Sequence, residues 1–141
     1  MARWLAISLA AVMNVSVGAT DPSVAKLDPA WAELEKKTTQ LLGQEGQRQV
    51  VDMAYAEIAT DACGGLTLNQ KAMTEGFDQL AEAGNKATAG RQSYERGMMA
   101  YFGVYTGLIL AESFLDKRSF CDGVERAKAR KGGPSRFWTS Q

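Results

Sequence analysis

Residues 97–111 read GMMAYFGVYTGLILA, an uncharged run set between Arg96 and Glu112. As a helix this run is apolar around nearly its whole circumference, a pattern that belongs to a helix buried on all sides. Crossing a bilayer takes about 20 apolar residues. This run is shorter and its flanks are charged, so the sequence predicts the core helix of a soluble bundle. Ala100, Gly103, Gly107 and Ala111 recur at i, i+3, i+7 and i+11, and residues 103–107 are formally GxxxG. In a membrane that motif marks a dimer face; in a soluble bundle it predicts close approach of a neighbouring helix. Each interior glycine costs about 0.5–1 kcal/mol against alanine, which tight packing would offset.

The segments on either side supply the helices that would surround this core. Asp28-Pro29 reads as a helix start, with Asp28 as N-cap and proline at the first helical position. Trp31, Leu34, Thr38 and Leu41 then form a largely apolar stripe, Glu33 and Lys37 an i, i+4 ion pair, and Gly43 and Gly46 loosen or break the helix. A second helix is expected over 49–63, with Val50, Met53, Ala54, Ile58 and Ala59 inward and Gly64-Gly65 ending it. A third, capped by Thr67 or Asn69, carries Met73, Phe77, Leu80 and Ala81 on one face and closes at Gly84. A last helix from about Ser119 carries Phe120, Cys121, Val124 and Ala127 and runs out at Lys131-Gly132-Gly133-Pro134. No segment alternates as a strand does. The expected fold is all-α, a bundle of four to five short helices.

The first 19 residues have the parts of a cleavable export signal: Arg3 as a positive start, the apolar stretch WLAISLAAVM at 4–13, and Val17-Gly18-Ala19 as the small residues a signal peptidase reads. The expected division is a signal peptide over 1–19, a helical domain over 20–131 that begins at Thr20, and a flexible basic and aromatic tail over 132–141. Removing Arg3 leaves 15 basic against 16 acidic residues. A chain so nearly neutral has no global field to recruit nucleic acid. The expected location is periplasmic or secreted, with no membrane span once the signal is removed.

An exported chain with two distant cysteines is expected to join them, Cys63 to Cys121, in one structural disulfide. The loop of about 59 residues makes the staple worth on the order of 4 kcal/mol in the chain-entropy account. A redox-active pair would more naturally be CxxC.

The chain contains no histidine. That removes the commonest general base and the commonest zinc and haem ligand, and with them Ser-His-Asp and Cys-His catalysis. No metal and no cofactor is expected. The carboxylate pairs Glu57/Asp61 and Glu112/Asp116 stand at i, i+4 and in principle could share a proton or hold a hard cation. Their plainer reading is a solvated face. From Lys117 onward the chain is locally basic, with seven cations against Asp122 and Glu125. Arg126, Lys128, Arg130, Lys131 and Arg136, with Trp138 as aromatic anchor, form a candidate docking surface for a protein partner or an anionic envelope component.

The leader, Ala56-x-Ile58 running to Cys63, Glu95-x-x-Met98 opening an apolar helix, and Phe120-Cys121 together resemble small, largely uncharacterised two-cysteine helical proteins of the Gram-negative periplasm. The resemblance covers about residues 50–125 and implies location and architecture. Acid-stress chaperones of the periplasm share the general plan of short helices with one disulfide. Ala111-Glu112-Ser113-Phe114 resembles the surroundings of the catalytic glutamate in lytic transglycosylases and goose-type lysozymes, without the Gly-rich and Gln-containing segment that follows it there. The expected function is a non-catalytic interaction or accessory protein. The alternatives are a chaperone-like stress protein and a carboxylate-based cell-wall glycan hydrolase.

Overall fold

The computed structural model describes residues 27–87 and 90–139. The leader, its cleavage site and the expected mature start at Thr20 lie outside the described residues. Among the described residues four α-helices follow in order: α1 (Asp28–Ala62), α2 (Gln70–Gly84), α3 (Arg91–Leu115) and α4 (Lys117–Ala129). A 3-10 turn, Gly133–Phe137, is the last element among the described residues. Among the described residues there is no β-strand, only an isolated bridge between Leu68 and Trp138.

The first two expected helices form one element with a break inside it. Gly43 takes φ +73° and ψ 173°, a backbone state open to glycine and strained for other residues. It divides α1 into two arms that lie along α3 in opposite directions. In the first arm Trp31 bonds to Glu112 and Leu41 packs on Gly97, so this arm runs antiparallel to α3. In the second, Gln47 donates to the Tyr105 hydroxyl at 3.2 Å and Tyr55 lies beside Glu112 in a shared cleft, so it runs parallel. Gly46, expected to help loosen the helix, stays helical; a side chain there would meet Leu42 and Leu80. Asp28 lies in the first turn after the cap position, Leu27, and makes no side-chain cap bond. Its charge still complements the positive end of the helix dipole.

Asn69 is the cap of α2, accepting from the Ala72 amide at 3.0 Å. Asp116 caps α4 in the same way, accepting from the Ser119 amide at 2.9 Å, and so starts that helix two residues earlier than expected. The core forms where these elements meet: Val50, Met53, Ala54, Ala56, Ala59, Tyr105 and Val124 are wholly excluded from solvent. Cys63 and Cys121 are bonded, with Cα atoms 5.5 Å apart, which pins the end of α1 to α4. Such a bond suits an oxidising, non-cytoplasmic compartment.

Residues 132–139 are not a free tail. Phe137 and Trp138 are buried, and the Trp138 indole donates to the Ala56 carbonyl at 3.0 Å. The Asn69 amide donates to the Phe137 carbonyl at 2.7 Å, and the Thr139 amide to the Thr67 carbonyl at 2.9 Å. These bonds strap the C-terminal segment across the junction of α1 and α2. Burial of these two large aromatic side chains offsets part of the entropy lost as the segment orders.

Candidate functional site

The uncharged run is not buried all round, and this is the main departure from expectation. Tyr94, Met98, Tyr105, Ile109 and Ser113 form the buried line of α3. On the far side Met99 is 51 % exposed, Val104 49 %, Leu110 38 %, Phe114 80 % and Leu115 43 %. A Cβ built on Gly103 or Gly107 meets nothing within 4 Å, so no neighbouring helix approaches the small-residue stripe. The physical reason is the number of helices. The two arms of α1 occupy one side of α3 and α2 touches its first half. Nothing among the described residues reaches the opposite side.

With 100° between successive residues, Arg96, Ala100, Gly103, Gly107 and Phe114 lie within about 40° of the line opposite the buried one. Met99 and Leu110 form a ridge on one flank, Val104 and Leu115 on the other. The result is a shallow apolar groove with a floor of backbone, bounded by Arg96 at one end and Phe114 at the other. Complete α3 is, by length and composition, long enough and apolar enough to cross a membrane, and only 22 % of its most apolar window is buried. The length argument drawn from residues 97–111 therefore does not extend to the whole helix.

At the C-terminal end of α3 lies a different kind of site. Glu112 accepts the Trp31 indole N–H and, with Tyr55, Asp116, Ser119, Phe120 and Gly123, lines a cleft of about 240 Å³. Burial raises the Glu112 carboxyl above the usual glutamate range; the Trp31 hydrogen bond opposes this, and the Asp28 charge adds to it. Burial likewise raises Tyr55, with Arg126 opposing and Glu112 reinforcing. Glu112 can exchange a proton, but its i, i+4 companion Asp116 serves as the cap of α4. In the other pair Glu57 is half-buried and raised by burial and by the Asp61 charge, while Asp61 is exposed. Among the described residues no group of three or more acidic, cysteine or histidine side chains is placed to hold a metal ion.

The expected docking set is dispersed. Arg126 and Arg130 line a groove of about 420 Å³ with Asp52, Tyr55 and Pro134. Arg136 pairs with Asp52 at 3.7 Å and lies 4.7 Å over the Phe137 ring. Lys128 pairs with Glu125 at 3.1 Å, Lys131 is exposed, and Trp138 is in the core. The aromatic anchor assigned to that surface is therefore not on it. Nothing among family models, curated proteins or solved structures matches the chain.

Proposed function

We propose that this chain is a non-catalytic interaction protein of an oxidising compartment outside the cytoplasm, engaging its protein partner through the outer face of α3. The observation that carries the reading is the exposed groove of Gly103 and Gly107 between the Met99–Leu110 and Val104–Leu115 ridges. A helix in water does not leave such a face apolar without a use for it. The opposite side of α3 supplies core residues to the bundle, which favours a soluble domain with a docking face over a membrane span. Export through a signal over 1–19 into a periplasmic or secreted location belongs to the same reading, supported by the disulfide. The capping role of Asp116, which engages the second carboxylate of the Glu112 pair, favours interaction over glycan hydrolysis.

The test is partner capture from the extracytoplasmic fraction. The unaltered chain should retain a partner that the Val104→Lys, Leu110→Lys double variant loses, while Arg130→Glu with Lys131→Glu retains it. The reverse pattern would move binding to the basic segment and sink the assignment to α3.

A further inference from the structure

We propose that the outer face of α3 is complementary to itself, and that its occupant is a second copy of this chain laid antiparallel across a two-fold axis at the level of Tyr105. The inference rests on the interaction reading above and names the partner. A two-fold contact places each residue opposite its own counterpart reflected through the centre. With the centre at residue 105, Gly103 faces Gly107 of the second copy, and the two backbones can approach closely because neither carries a side chain there. Arg96 faces Phe114 of the second copy, setting a guanidinium over an aromatic ring that is 80 % exposed in the isolated chain. This pairing occurs twice, once at each end of the groove. On one flank Met99 meets Leu110 of the second copy, and on the other the two Val104 side chains meet.

Other arrangements fit less well. A parallel pair would set Arg96 against Arg96 and align the two helix dipoles, both unfavourable. A lipid surface would gain little from the centre of the face, where glycine and alanine offer almost no apolar area. Close approach of another helix is what those residues allow. The uncharged run is about 22 Å long and the face roughly 10 Å wide. That buries well under the ~800 Å² per partner of a standard complex, so the dimer forms in the micromolar range or weaker and is reversible.

Sedimentation equilibrium of the full chain over micromolar to millimolar concentrations tests this. It should show a monomer–dimer equilibrium, weakened about tenfold or more by Gly107→Leu and by Arg96→Glu. The exchange variant Arg96→Phe with Phe114→Arg should restore it, since each swapped pair meets again only in the antiparallel arrangement. A spin label on Ser93→Cys should report an inter-chain distance of about 36 Å; a distance near ~10 Å would mean parallel helices and overturn the proposal. All these positions are exposed on α3, and an unchanged helical signal with no free thiol beyond the introduced one verifies the fold. A chain that stays monomeric throughout, or that binds anionic vesicles instead, also overturns it. If the chain is monomeric yet Gly107→Leu abolishes capture of another protein, self-pairing falls and the interaction reading stands. If Gly107→Leu alters neither, both fall.

Discussion

The indole of Trp31 donates its N–H to the carboxylate of Glu112, joining the first turn of α1 to the last full turn of α3 across 81 residues of chain. Trp31 also lies 5.6 Å from the Tyr105 ring, so the bond closes the edge of the core. An acceptor at position 112 is what this edge requires, and the acceptor need not be charged.

That requirement sets a pH dependence. Burial holds the Glu112 carboxyl above its ordinary range, and burial also raises Asp52 and Glu57. A carboxyl whose folded pKa is raised binds more protons in the folded than in the unfolded state. Its stabilising contribution is therefore complete below the unfolded value and is lost as pH rises through the folded one. The urea midpoint should rise on mild acidification from neutral, and Glu112→Gln, which keeps an acceptor for Trp31, should flatten that rise. A midpoint that falls steadily from pH 7 to about pH 5 would contradict it. An acid-triggered chaperone would need that opposite slope.

Glycines in this chain should respond to alanine with opposite signs. At Gly43, φ +73° makes alanine strained, and Gly43→Ala should lower stability by about 1–2 kcal/mol. At Gly103 and Gly107 the backbone is helical and the space is open. There alanine should raise monomer stability by about 0.5–1 kcal/mol each. Urea titration at low protein concentration checks all three. Destabilisation at Gly107 would mean that another element covers the face.

The C-terminal strap should carry weight out of proportion to its length. Trp138→Ala should cost about 3–5 kcal/mol, because it vacates a buried site and removes the indole's bond to the Ala56 carbonyl. Arg136→Ala removes a half-exposed ion pair and a surface stacking contact, and should cost at most about 1 kcal/mol. Thermal melts of the two variants separate these expectations.

Reducing the Cys63–Cys121 bond, or replacing both residues with serine, should cost on the order of 4 kcal/mol. Native protein should show no titratable thiol among its two cysteines. Two reactive thiols in protein taken from its host would remove the case for an oxidising compartment.

Most of the fold was legible because amphipathic helices announce which face turns inward. Val50, Met53, Ala54, Ile58 and Ala59 are all buried, as their spacing implied. The cap of α2 was narrowed to Thr67 or Asn69 by local chemistry, and Asn69 fills it; the cysteine pairing followed from there being two cysteines to join. The outer face of α3 was misread for a definite reason. Periodicity reports that a helix is apolar all round, but how much of it is covered depends on how many neighbours the rest of the chain can supply. The GxxxG pattern was visible, and its vacancy was not. The Trp31–Glu112 bond and the Trp138 strap had no signal at all, because contacts between distant segments leave no mark on local spacing.

The strap has a consequence for the order of events in the life of the chain. Synthesis proceeds from the N-terminus, so Trp138 leaves the ribosome 82 residues after its acceptor, the carbonyl of Ala56. Until Phe137 and Trp138 emerge, the groove that receives them stands open beside α2. The bundle therefore locks only once these two residues have been made, and a nascent chain stays pliable enough to be threaded elsewhere before it closes.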